Sequence, residues 1–178
     1  MNKYLLLAAL STALITAACE SQNVRDEDSQ FFSVPLGSTF TLNREITIQP
    51  DQASVYLQNG KLGAARDVDF YKPHCKFELY TISTGARVVK PDTFVVIRIV
   101  DQSEDVSIAW PIYAGLGMAG DGPTHLTFST TMFLESKIQP DVFRINCKRW
   151  DDPVIGEYLS VSEMRQALGD YFTLTLAD

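Results

Sequence analysis

Pro73-His74-Cys75 is the first place in this 178-residue chain where side chains capable of chemistry stand together. An imidazole beside a thiolate is the raw material of a redox centre or a metal site. Adjacent residues on a strand point to opposite faces, however, so both cannot serve one centre. If Cys75 faces inward, His74 faces outward and is expected at the surface. Cys75 has one distant counterpart in Cys147. Pairing them would close a loop of roughly 73 residues and contribute about 4 kcal/mol by chain entropy. Two buried free thiols, or a thiol–metal site completed by His74, are the alternatives. The other histidine, His125, begins a strand and has no companion at ligand spacing.

Two further stretches carry binding chemistry. The run from Gly115 to Pro123 holds four glycines, and Trp110, Tyr113, Leu116 and Met118 lie in or just before it. It reads either as an apolar binding lip or as a long hairpin connection whose apolar residues fold back on the core. It lacks the Lys-Ser or Lys-Thr of a phosphate loop. The second stretch is cationic. Arg144, Asn146 and Lys148 face outward if Phe143, Ile145 and Cys147 face inward, and Arg149 and Trp150 follow. Such a strip could grip an anionic lipid, a glycan or a partner's carboxylate, or it could be a solvated sheet face whose charges discourage edge pairing. Nucleophile elbows, zinc-protease spacings and Cys-x-x-Cys pairs are absent. Asp67 with Asp69, and Asp151 with Asp152, read as turn and cap residues.

The elements that must position these groups are mostly strands. From Thr39 the dominant period is two: Phe40, Leu42, Ile46 and Ile48 alternate with polar residues, interrupted by Arg44 at a bulge or an edge. Val55 to Gln58 runs into Asn59-Gly60, whose tolerance of positive φ predicts a tight hairpin. Cys75, Phe77 and Leu79 predict another strand. Phe94 to Val100, apolar on both faces except at Arg98, predicts a central one. A turn over residues 101–105 is expected to lead into Val106, Ile108, Trp110 and Ile112. Leu126, Phe128, Met132 and Leu134 mark one more strand, and Phe143, Ile145 and Cys147 the next. Ser160 with Glu163 forms a capping box for a helix through Met164, Ala167 and Leu168, stopped by Gly169. Phe172 to Leu176 closes the chain as a strand. The expected fold is mainly β: a single antiparallel β-sandwich or distorted barrel with one short C-terminal helix, over residues 38–178.

The N-terminus explains the third cysteine. A basic start at Lys3, an apolar run from Tyr4 to Leu10 and small residues leading to Cys19 have the layout of a signal peptide over residues 1–18. Leu14-Ile15-Thr16-Ala17-Ala18-Cys19 resembles the lipobox of bacterial lipoproteins, with Thr16 where that family usually has Leu. The resemblance implies that Cys19 carries lipid, which leaves Cys75 and Cys147 as a pair in an oxidising compartment. It also implies an outer-membrane address facing the periplasm, because Glu20 rather than Asp follows the cysteine. The mature part resembles proteobacterial lipoproteins of unassigned role, which implies no mechanism. Residues 19–37 then read as the lipidated cysteine and a polar tether, able to reach at most roughly 60 Å, although Phe31, Phe32, Val34 and Leu36 could already belong to the folded domain.

Charge narrows the partners. The formal net charge of -7 argues against nucleic acid, whose phosphates require clustered Lys and Arg. No cofactor is implied. The expected role is a membrane-anchored, non-enzymatic binding or assembly module that meets an envelope protein or an anionic lipid or glycan. A small envelope hydrolase or ligand-modifying enzyme is the alternative. A deep polar pocket would favour the enzyme, and a cationic strip, an apolar patch or an unpaired edge strand would favour the module.

Overall fold

A computed structural model describes residues 26–106 and 125–178. Cys19 and the lip residues Trp110, Tyr113, Leu116 and Met118 therefore lie outside the described residues. The ten described strands are β1 (Thr39–Leu42), β2 (Ile46–Ile48), β3 (Ser54–Gln58), β4 (Lys61–Gly63), β5 (His74–Leu79), β6 (Arg87–Val89), β7 (Asp92–Asp105), β8 (Leu126–Glu135), β9 (Val142–Asp151) and β10 (Phe172–Thr175). One helix, α1 (Val161–Leu168), precedes β10. Eight strands form a curled antiparallel sheet in the order β10-β1-β7-β8-β9-β5-β3-β4, and β2 pairs with β6. The fold is mainly β in its distorted-barrel form, an open half-barrel with one short C-terminal helix.

Alternation places Phe40, Phe77, Phe94, Phe172, Met132 and Ile145 on the inner face, all buried. Phe77 is the hub, with ring centroids 5.3 Å from Phe172 and 6.3 Å from Phe94. α1 lays Met164, Ala167 and Leu168 against this face. Its capping box is formed as expected. The Ser160 hydroxyl accepts from the Glu163 N–H, and the Glu163 carboxylate accepts from the Ser160 N–H at 2.9 Å. At the other end, the Asn59-Gly60 turn joins β3 to β4 with both residues at positive φ. The Gly60 N–H donates to the last turn of α1 at Ala167 O, 3.0 Å. Helix stop and hairpin turn thus press on each other, and a Cβ at Gly169 would lie 2.3 Å from the Gly60 Cα.

Three expectations change. The apolar alternation from Phe40 to Ile48 is two strands, because Asn43 leaves the ladder to bond Tyr171 O and Thr173 Oγ1, and Arg44 pairs with Asp170. The turn expected over residues 101–105 is strand: β7 continues in register with β8 as far as Asp105 opposite Leu126. Phe143 is not an inward residue. The β5–β9 register shifts opposite Leu79, Val142 takes the buried place, and Phe143 packs outside against Tyr80 and Phe133. Packed structure is also present before residue 38: Val34 is in the core, and Glu27 bonds α1 through Val161 N–H and Arg165.

Gly169 has φ 55° and ψ -142°, a region that side chains with a Cβ avoid. Gly169→Ala should destabilise the domain by roughly 2–4 kcal/mol. Ser160→Ala should cost about 1 kcal/mol. Equilibrium denaturation of both variants checks the ranking.

Candidate binding surfaces

The β5–β9 register creates the first surface. Three rows cross the outer face of β5, β9, β8 and β7: His74–Lys148–Ser129–Gln102, Lys76–Asn146–Thr131–Val100, and Glu78–Arg144–Phe133–Arg98. On the inner face, the same register sets Cys75 opposite Cys147, with Cα atoms 4.0 Å apart and sulfurs at the disulfide distance of 2.05 Å. Both cysteines are fully buried, so neither is available to a metal or to redox exchange at the surface.

Glu78 is the hub of the outer face. Lys76 Nζ meets its Oε1 at 2.5 Å, and Arg144 Nε donates to its Oε2. Burial works to raise the Glu78 pKa, but the hydrogen bonds and charges of Lys76 and Arg144 outweigh it and hold the carboxyl below its ordinary range. Arg98 lies over the Phe133 ring at 3.6 Å, a cation–π contact. Lys148 is different. It is half-buried, forms no ion pair with any described residue, and has its pKa lowered by burial first and by the nearby Lys76 charge second.

Arg149 does not belong to the expected strip. One position on from Lys148, it points to the inner face, where Nη1 meets Glu163 at 2.8 Å and Nε meets Asp151 at 3.4 Å. It ties β9 to the capping box of α1. Lys76, from another strand, takes its place beside Arg144 and Lys148, a neighbourhood that only cross-strand register reveals.

His74 also corrects its expectation: it is fully buried, not on the surface. Its outer face is roofed by the segment that precedes it. Phe70 meets the imidazole edge-on at 5.2 Å and stacks on Trp150 at 4.8 Å, with Tyr56 at 6.2 Å on the other flank. Both faces of β5 are therefore covered at this end. The aromatic pair Phe70-Tyr71 just before Pro73 was the available signal. The Lys72 carbonyl can only accept, so His74 Nδ1 carries a proton and donates to it at 2.9 Å. Nε2 is buried without a partner among the described residues. His125 packs edge-on against Tyr71 at 5.2 Å, part of the same aromatic end.

The second surface is an edge. β7 has fourteen residues, but β1 covers only its first part, ending where Val96 exchanges backbone bonds with Gly37 and Ser38. A bulge at Ile97 follows. The Val106 N–H donates to His125 O, toward β8. By the alternation of antiparallel ladders, Ile99, Asp101, Ser103 and Asp105 turn their N–H and C=O groups to the other side. Among the described residues no backbone group pairs with them there. Beside this edge runs an open groove of about 1270 Å³ with Phe31, Phe32, Leu36, Ile97, Ile99 and Leu176 along its walls. Ile97 and Val95 are 50 % and 41 % exposed, so the expected central strand is central only over its first part.

No protein-family model, no curated protein and no solved structure matches this chain.

Burial is the main cause of a His74 pKa below 6.5, aided by the Lys148 charge and opposed by the Lys72 carbonyl and Asp69. The unfolded chain therefore takes up this proton before the folded one does. The stabilisation is complete above about pH 6.5 and is lost as pH falls toward the lower folded value. His74→Gln should flatten this part of the acid dependence, measured as the denaturation midpoint from about pH 7.5 to 5.

Proposed function

We propose that this protein is a membrane-tethered, non-enzymatic assembly module of the bacterial envelope. Lipid on Cys19 holds it at the outer membrane facing the periplasm, and the open edge of β7 receives an extended segment of a protein partner. The observation that carries the reading is the run of β7 beyond Val96, which among the described residues lacks a second strand neighbour and lies beside a groove with both apolar and charged residues along its walls. A strand added there would gain backbone hydrogen bonds from the edge, and its alternate side chains would enter the groove.

Charge indicates what kind of segment fits. Asp101, Glu104 and Asp105 are exposed along this stretch, and Arg98 stands at its start. Acidic groups so placed favour a partner strand carrying Lys or Arg among apolar residues. They disfavour a second copy of the same edge, because like charges facing across a strand pair repel. The short tether suits this role. From Cys19 to Asp26 is seven residues, at most about 25 Å, so the domain would stay close to the bilayer and select partners located there.

Proline substitution tests the edge. Ser103→Pro removes an N–H that faces the open side, which an edge strand tolerates. Gln102→Pro removes one that faces β8 and should lower thermal stability markedly. Ser103→Pro should leave stability nearly unchanged while abolishing a specific photocrosslink from a probe at Asp101 to one envelope protein. Equal crosslinking by wild type and Ser103→Pro would reject strand addition. Cys19→Ala should release the protein into the soluble periplasmic fraction, and continued membrane retention would refute the anchor.

A further inference from the structure

We infer that a small cavity between β7, β8, residues 30–34 and the start of α1 is a binding site for a primary ammonium group on a short aliphatic stem, with Asp101 as its counter-ion. The inference depends neither on a strand pairing with β7 nor on the anchor. The cavity has a volume of about 170 Å³. Sites for drug-sized ligands run to roughly 300–1,000 Å³, so this one suits a group the size of a single side chain. Phe32, Leu159 and Met164 give it apolar walls, and Asp101, Thr130 and Tyr158 give it polar ones.

The register sets the polar pair. Asp101 lies directly opposite Thr130, and Thr130 lies opposite the inward-facing Cys147, so both belong to the inner face. The Thr130 hydroxyl is buried and donates to Asp101 Oδ1 at 2.6 Å. Its one proton is spent on that bond, so both groups can only accept from a ligand. An anion would meet the charge of the carboxylate. An ammonium brings the opposite charge and three donors, and it has no need of an acceptor of its own.

No cation of the fold takes this place. Asp101 forms no ion pair among the described residues. Arg98 is on the outer face over Phe133, and Arg165, beside the adjoining groove, is committed to Glu27 and the Leu174 carbonyl. Residues 107–124 hold neither Lys nor Arg. The apolar walls complete the match. An aliphatic stem along Phe32, Leu159 and Met164 leaves water while its charged end reaches the Asp101–Thr130 pair, the division of labour that long cationic side chains show at protein surfaces. The Tyr158 ring adds an aromatic face, to which a cation is also drawn.

The first probe is n-butylammonium chloride added to the full chain, with sodium chloride at equal concentration as control and the NMR shifts of the Asp101 and Thr130 amides as readout. Both amides should shift saturably in wild type. The same stem without charge, n-butanol, should leave them in place. Asp101→Asn keeps an acceptor for Thr130 and removes the charge, and it should weaken binding about tenfold. Phe31 also lines the cavity and is 75 % exposed, so Phe31→Ser spares the core and should weaken binding about threefold. An acetylated, amidated lysine separates the sources. Binding as tight as that of n-butylammonium points to a lysine of a protein partner, and binding of n-butylammonium alone points to a free small amine. Absence of a saturable shift, equal shifts with n-butanol, or equal affinity in Asp101→Asn overturns the site.

Discussion

The β5–β9 pairing is the constraint on which the rest depends. It sits near the middle of the sheet, and its register decides which side chains meet on each face. With Cys75 opposite Cys147, Phe77 lies opposite Ile145 and the core assembles beneath them. The same alignment sends His74, Lys76 and Glu78 outward to meet Lys148, Asn146 and Arg144. A slip of one residue would bury the charges and expose the core, since side chains alternate strictly along a strand. The disulfide joins residues already directly opposed, so it holds the register as much as it restrains the unfolded chain.

Two irregularities turn this regular sheet into a surface with something to offer. The shift in β9 opposite Leu79 brings Phe143 outside, where it and Phe133 make an apolar floor under Arg144 and Arg98. The bulge at Ile97 occurs where β1 gives out, and beyond it β7 is paired on one side only among the described residues. Bulges commonly end pairing or re-aim side chains in this way. An unpaired edge invites aggregation, and the acidic residues along this one restrain pairing with identical copies. That same feature leaves room for a partner of opposite charge.

Aromatic packing accounts for the greatest departure from local expectation. Strand alternation by itself sends His74 to solvent, and the strand does turn it outward. What alternation omits is that Phe70, Trp150 and Tyr56 cover that side. The imidazole then loses its water and is held as the neutral form, with one nitrogen committed to the Lys72 carbonyl. Sealed beneath Phe70, it is a structural residue with a pH-dependent contribution to stability.

Local patterns determined a good deal by themselves. The mainly β class, the Asn59-Gly60 turn, the capping box at Ser160, the stop at Gly169 and most strands followed from period, turn chemistry and caps, which depend on residues within one or two turns of each other. The count of three cysteines allows three pairs, and only the resemblance at Cys19 singled out Cys75 with Cys147. What only the tertiary structure decided were matters of pairing and cover: that Arg149 leaves the cationic strip for Glu163 while Lys76 joins it, that Lys148 has no counter-ion among the described residues, that His74 is roofed, and that β7 outruns β1. Each depends on which distant strand or loop lies alongside. No local pattern carries that information, because a residue's period states which way it points and not what it will meet there.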